Sequence, residues 1–189
     1  NISNELTPMV ATARLIKQEH PDASVVFIGP CASKKLEASR RTVRSDVDFV
    51  ITFEELTGMF EAKGILLDEI KAMDEMKDAT AAGRGYGVAG GVANAIKECI
   101  EQYYPGTPVN IQHAESLAEC KKALRLAKAG KMNGCLIEGM ACPGGCIAGA
   151  GTNIAIPVAA RAVDKFKNEA EKKVPDESVD QEMVELEKE

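Results

Sequence analysis

Residues 24–31 have the sequence SVVFIGPC, a short continuous apolar run that ends in Gly-Pro-Cys. Residues 133–142, NGCLIEGMAC, repeat the arrangement, with a second apolar run leading into a cysteine. Short apolar runs bounded by Gly or Pro are typical of buried strands in parallel sheets. Since sites in open α/β sheets form at the carboxyl ends of strands, both runs place a cysteine where a site is expected.

The rest of the chain alternates strands with helices. Two more strands are predicted at 47–51 and 108–113, and residues 71–91 are predicted to be a loop. Helix starts are predicted at Thr7 as N-cap before Pro8, at the capping box Thr52–Glu55, after Gly91, at a second capping box Ser116–Glu119, and near Ile154 or Pro157. The pattern predicts an α/β fold of parallel-strand layered lobes with flanking helices. The site is expected at the carboxyl ends of strands between the lobes.

Composition excludes several classes of function. The 189 residues carry a net charge of −6, which argues against a nucleic-acid surface, and no apolar run reaches the ~20 residues of a membrane span. The first residues show neither an initiator Met nor a signal-peptide pattern, and six cysteines suit a reducing cytoplasm and metal binding better than disulfides. We expect one domain at 1–166 and an acidic tail or linker at 167–189.

Two cysteines, Cys142 and Cys146, stand four residues apart in a glycine-rich stretch. If the stretch is a helical turn, both sulfurs lie on one face, about 5–6 Å apart at Cβ. Soft thiolates select iron–sulfur clusters, zinc or copper(I), and the paired C-x-x-C knuckles of a zinc ribbon are absent. Glycines such as Gly145 would let backbone N–H groups approach the sulfurs.

Charged residues follow Cys31. Lys34 adds a cation that could bind an anionic ligand. Glu37 shares the face of Lys34 if a helix begins after Cys31, which makes it a candidate proton carrier. Lys35 is interpreted as solvated.

The pattern P-C-x-x-K-x-x-E at 30–37, followed by E-x-M-A-C-x-G-G-C-x-x-G-x-G at 138–151, resembles the second and third signature motifs of iron-only (FeFe) hydrogenases. The Gly-rich residues 83–95 also resemble that family's segment before a helix. The similarity covers roughly residues 5 to 165. It implies the reversible interconversion of H2 with protons and electrons.

The resemblance also implies roles for individual residues. Cys31 and Cys142 would ligate the 4Fe-4S cubane of the H-cluster, and Cys146 would bridge that cubane to a two-iron subcluster. Lys34 would hydrogen-bond a cyanide ligand, and Glu37 would lie on a proton path. The cofactor shell would include Pro30, Met140 and Gly145.

Two departures from the family pattern limit this interpretation. The first motif, T-S-C-C-P-x-W, is absent, so we expect an upstream segment of the same protein to supply the fourth thiolate, and this chain alone to be inactive. Gly29 stands where active members usually have Met, which resembles a divergent H2-sensing branch. A third possibility is a plain iron–sulfur electron-transfer or scaffold protein, which would not need Lys34. The expected redox partner is ferredoxin or fused iron–sulfur domains.

Other candidate residues receive structural interpretations. Cys99, Cys120 and Cys135 lie on predicted apolar helix or strand faces and are expected to pack there. No role is assigned to His20 or His113, and Glu138 is weighed evenly between structure and function. Gly85-x-Gly87-x-x-Gly90 fits a dinucleotide fingerprint only literally, because no strand precedes it and no acidic residue follows near position 110.

Overall fold

The computed structural model describes residues 2–71 and 79–175. These residues form two compact units: one holds the chain up to Ile70 together with Ala150–Asn153, and the other holds Lys71–Gly149 together with Ile154–Pro175. In the described part of the chain, no helix combines the length and apolar character needed to cross a membrane.

The first unit is a pair of parallel strands with helices. Its elements are α1 (Pro8–Glu19), β1 (Val26–Ile28), α2 (Ser33–Ser39), β2 (Phe49–Ile51), α3 (Phe53–Ala62) and a 3-10 turn (Leu67–Glu69). The strands pair in parallel with Val26 opposite Phe49 and Ile28 opposite Ile51. The core of this unit consists of Met9, Val10, Ala13 and Val47, with Phe27 and Val50 packed against it.

The second unit repeats the scheme with longer strands. Its elements are α4 (Ala81–Arg84), α5 (Gly91–Tyr103), β3 (Asn110–Glu115), α6 (Leu117–Lys128), β4 (Cys135–Met140) and α7 (Ile156–Asn168), with 3-10 turns at Gly85–Gly87 and Cys146–Ala148. The strands β3 and β4 are parallel, from Asn110 opposite Cys135 to Glu115 opposite Met140. The predicted α/β class with parallel strands is confirmed.

The capping box at the start of α3 is also confirmed. The Glu55 amide donates to Thr52 Oγ1 at 3.2 Å, and the Thr52 amide donates to Glu55 Oε2 at 2.8 Å. Lys35, predicted to be solvated, forms an ion pair with Glu55. Its hydrogen bond to Glu55, together with the Thr52 amide, lowers the pKa of Glu55 from 4.5 to about 2.

The prediction of Thr7 as N-cap before Pro8 is confirmed, although the Thr7 side chain makes no capping hydrogen bond. Two other local predictions are wrong. At Ser116 only half of the predicted box forms, because the Glu119 carboxylate accepts from the amide of Glu115 at 2.8 Å. Residues 81–87 are helical where a loop is predicted, since Ala81 and Ala82 donate their amides to the carbonyls of Lys172 and Lys173 at 2.8 and 2.9 Å.

Residues 167–175 continue the second unit. Helix α7 ends at Asn168, and Val174 is buried against Ala82 and Ala95. The predicted boundary between 166 and 167 stays a prediction. Residues 176–189, most of the predicted acidic tail, lie outside the described residues, as do 72–78 of the predicted loop.

Candidate metal centre

The first cysteine segment follows β1 in the first unit. Gly29 donates its amide to Ile51 O at 3.1 Å, which keeps the chain beside β2 until it turns at Pro30. Cys31 is partly buried, and its sulfur lies 3.1 Å from Ser33 Oγ. Since α2 begins at Ser33, the predicted helix after Cys31 is confirmed.

Lys34 and Glu37 lie on one face of α2. Lys34 Nζ is 2.7 Å from Glu37 Oε2, and the Thr7 hydroxyl donates to Glu37 Oε1 at 2.5 Å. Burial raises the pKa of Glu37, but the hydrogen bonds from Lys34 and Thr7 outweigh it and hold the pKa below 4.5. Glu37 is therefore an ionised carboxylate near neutral pH, and an anion that approached Lys34 would share it with Glu37.

The end of the second motif contacts the first motif. Gly151 belongs to the first unit, and its amide donates to Pro30 O at 2.9 Å while its carbonyl accepts from Glu54 N at 3.2 Å. A Cβ on Gly151 would lie 2.4 Å from Thr52 Cβ, so only glycine fits. Pro30 and Gly151 are thus in direct contact although 121 residues separate them.

The second cysteine segment follows β4 in the second unit. The chain leaves the strand at Met140, turns through 141–145, and enters the 3-10 turn that starts at Cys146. The predicted helical turn is wrong, because Gly144 and Gly145 have φ values of +96° and +89°. Cys142 is partly buried and Cys146 is exposed. We call residues 142–146 the cysteine loop.

Backbone hydrogen bonds fix the cysteine loop. Gly145 N donates to Cys142 O at 2.9 Å, and Ala89 N donates to Gly144 O at 3.0 Å. A Cβ on Gly145 would lie 2.4 Å from Ala89 N and 2.8 Å from Gly87 O, so the loop rests directly on the Gly-rich backbone. The glycines serve close backbone packing here.

Residues 1–150 match the family described as the iron only hydrogenase large subunit, C-terminal domain. The chain belongs to this family. The resemblance that the two motifs indicate is therefore confirmed, whereas the assignment to a sensing branch stays a prediction.

Other comparisons agree with the iron-only hydrogenase family. The fold is similar to that of the FeFe hydrogenase HydA1 from Chlamydomonas reinhardtii, solved as a point variant, with a TM-score of 0.63 and 20% identity over 97% of this chain and 64% of that one. A HydA structure that reveals stepwise H-cluster assembly gives a TM-score of 0.58 and 20% identity, over 94% of this chain and 62% of that one.

A stretch of 53 residues is 43% identical to the cytosolic Fe-S cluster assembly factor NAR1 of Kluyveromyces lactis, covering 28% of this chain and 11% of NAR1. The chain thus spans less than two thirds of the length of the solved hydrogenases, and about a tenth of NAR1.

The donor set of this family member suits an iron–sulfur group. Thiolates are the ligands that such clusters take, and Cys31, Cys142 and Cys146 each follow a strand end on a short turn. Within neither unit do three or more His, Cys, Asp or Glu side chains of the described residues form a group that could hold a metal ion. The ligand roles of Cys31, Cys142 and Cys146 stay predictions.

The sequence interpretation missed the role of Glu138. This buried carboxylate accepts from the amides of Gly90 at 2.6 Å, Val92 at 2.9 Å and Ala93 at 3.1 Å, at the start of α5. It also lies 3.1 Å from His113 Nδ1, a partner that the sequence did not indicate. An internal carboxylate occupies the helix N-terminus where a bound phosphate would lie, which supports the rejection of the dinucleotide fingerprint.

The remaining cysteines pack as predicted where contacts are described. Cys99 packs against the buried cluster of Ala82, Ala95 and Val174. Cys120 directs its sulfur at Ala114 O, 3.5 Å away, and at Met140 O, 3.8 Å away. Cys135, the first residue of β4, is partly buried.

Proposed function

We propose that this chain is the C-terminal part of an iron hydrogenase catalytic domain that, in the full-length protein, interconverts H2 with protons and electrons at an H-cluster. The observation that carries the proposal is the cysteine loop, which the Gly-rich backbone fixes at the end of β4 with Cys142 and Cys146 at its two ends. The family match over residues 1–150 supports it.

In this proposal Cys31, Cys142 and Cys146 are thiolate ligands, and an upstream segment of the same protein supplies the fourth. When bound, the cubane would supply electron transfer and the two-iron subcluster would supply the redox chemistry of H2. Cys146 would be a ligand of both, and its exposed side chain suits that position. Met140, Pro30 and Gly145 would belong to the cofactor shell.

Lys34 and Glu37 have separate roles. Lys34 would hold a cyanide ligand by a charge-assisted hydrogen bond, in addition to its partner Glu37, whose Oε2 lies 2.7 Å from Lys34 Nζ. Glu37 passes protons, for which Thr7 provides a hydroxyl 2.5 Å away on the other carboxylate oxygen. The lowered pKa keeps Glu37 ionised near neutral pH, so in this role its carboxylate would be the proton-accepting form.

The partners follow from this role. Electrons come from ferredoxin or fused iron–sulfur domains, and the substrates are H2 and protons. A reducing cytoplasm, in which thiols persist, is the proposed compartment.

A scaffold or electron-transfer protein without the two-iron subcluster is the second candidate. It is favoured by the 43% identity over 53 residues to an Fe-S cluster assembly factor. An H2 sensor of low turnover, favoured by Gly29, would share the complete site. Lys34 separates the scaffold from the other two, since a plain cubane has no cyanide to bind.

Infrared spectroscopy of the matured full-length protein tests the proposal. We expect CO and CN stretching bands in the wild type, loss of the bands in Cys146→Ala, and shifted CN bands in Lys34→Ala. Cys135→Ala, which removes a thiol away from the loop, is the control and should leave the bands unchanged.

Iron and sulfide without CO and CN bands would identify the scaffold instead. Bands accompanied by very slow H2 turnover would identify the sensor. Bands that persist unchanged in both Cys146→Ala and Lys34→Ala would show that the residue assignments are wrong.

A further inference from the structure

One residue of the cysteine loop, Gly144, is held by hydrogen bonds at both its carbonyl and its amide. The carbonyl of Gly144 accepts from Ala89 N at 3.0 Å, and the amide of Gly144 donates to Glu115 Oε2 at 2.9 Å. The first partner is backbone and the second is a side chain. Glu115 is therefore the residue at which a single substitution can release the loop.

Glu115 is itself fixed in place. It is the last residue of β3, opposite Met140 in the parallel register, and its own amide donates to Glu119 Oε2 at 2.8 Å. The next residue, Ser116, has a φ of +125°, a backbone conformation that residues other than glycine rarely adopt. The Ser116 amide donates to Met140 O at 2.8 Å. Strain that the surroundings maintain at such a position is typical of functional sites.

The negative charge of the Glu115 carboxylate is unexpected beside Cys142 and Cys146, which would bind metal as thiolates. Like charges repel, and a neutral Gln, Asn or Ser oxygen could accept the same hydrogen bond without that cost. A carboxylate accepts more strongly than a neutral group, so it holds the amide more firmly. Its charge also disfavours the addition of an electron to a nearby cluster.

We propose that Glu115 is a positioning residue that fixes the cysteine loop through the Gly144 amide and, through its charge, keeps the reduction potential of the bound cluster low. The inference rests on the proposed cluster-binding function of this loop. It assigns no contact between Glu115 and substrate or iron.

The positioning half is tested without metal. In the full-length apo protein, alkylation by iodoacetamide is followed at each cysteine by mass spectrometry, with Cys31 as the internal reference. We expect Glu115→Ala to speed the reaction several-fold at Cys142 and Cys146. Glu115→Gln, whose amide oxygen still accepts from Gly144, should react close to the wild-type rate. Equal rates in Glu115→Ala and the wild type would overturn the positioning role.

The charge half is tested on the cluster-loaded full-length protein by a redox titration monitored by electron paramagnetic resonance. Glu115→Gln should shift the midpoint potential upward. The control Glu101→Gln removes an equal charge from an exposed position of α5, where Glu101 contacts Lys97, and should leave the potential unchanged. A potential that is the same in Glu115→Gln and the wild type would overturn this half. A wild type that binds no cluster would refute the proposed function, while the alkylation rates would still decide the role of Glu115 in the loop.

Discussion

The two cysteine segments are built by different means. After Cys31 the chain forms α2, and this segment is held by side chains: Lys34 forms an ion pair with Glu37, and the Thr7 hydroxyl donates to Glu37. The cysteine loop is held by its main chain, through glycines of positive φ and amide hydrogen bonds. The first segment can adjust by moving side chains, whereas the second tolerates almost no change in its main chain. The comparison predicts that substitutions in the cysteine loop will lower the free energy of unfolding more than substitutions in α2.

The largest effect is expected for Gly145→Ala. The new Cβ would combine left-handed strain with a 2.4 Å approach to Ala89 N, and together these should lower the free energy of unfolding by about 4 kcal/mol. Urea denaturation measures it. Gly83→Ala, in the same unit, is the control, because its Cβ would meet only Thr80 Oγ1 at 3.4 Å. Equal effects of the two substitutions would contradict the backbone-fixed description of the loop.

The next largest effect on the free energy of unfolding is expected at Glu138, which binds the start of α5 next to the residues that hold the cysteine loop. Glu138→Ala would leave three amides at the start of α5 without their carboxylate, at a cost of about 3 kcal/mol in the free energy of unfolding. Since Gly90 and Ala89 are adjacent, faster hydrogen exchange should spread to the Ala89 amide that holds the loop. His113→Ala removes only the exposed partner of Glu138 and should cost far less. If His113→Ala were as damaging as Glu138→Ala, the amides would not be the main partners.

A smaller effect on the free energy of unfolding is expected when the Lys34–Glu37 ion pair on α2 is removed. Lys34→Met should lower the free energy of unfolding by about 0.5–1 kcal/mol and raise the pKa of Glu37, because the pair is partly exposed. An NMR titration of the Glu37 carboxylate follows the change. Lys35→Met is the reciprocal control, which should raise the pKa of Glu55 and leave that of Glu37 in place. Identical responses of Glu37 to both variants would show that a general field, and not the pair, sets its pKa.

The smallest effect is the pH dependence of the same pair. The pKa of Glu37 in the folded chain lies below its ordinary value of 4.5, so the pair stabilises the fold fully above that pH. The contribution is lost as the pH falls through the folded pKa. The difference in unfolding free energy between the wild type and Glu37→Gln should therefore shrink as the pH falls below about 4.5. A difference that grows on acidification would have the wrong sign.

The comparison also shows what the sequence can predict. Local signals succeeded: the capping box of Thr52 and Glu55 involves residues three apart, and the apolar runs at 24–29 and 133–138 gave the parallel strands. The family could be predicted because the two motifs contain its signature residues in order. The elements in between were harder to predict.

Long-range partners explain the failures. His113 meets Glu138 only because β3 and β4 pair in one register, which the sequence does not determine. Thr7 occupies the N-cap position, but its hydroxyl donates to Glu37, 30 residues later, and does not cap the helix. Residues 81–84 form a helix because carbonyls of Lys172 and Lys173 satisfy its first amides, a contact that no local pattern indicates. A shift of one residue between the two strands would have removed His113 from its position opposite Glu138.

The backbone seating of Gly145 on Gly87–Ala89 bears on how a metal group would be loaded. Small zinc domains acquire their shape only when the ion arrives, so their apo forms are unfolded. Here the turn that carries Cys142 and Cys146 is secured by peptide contacts that owe nothing to metal. This turn therefore does not need a bound metal group to keep its main-chain conformation.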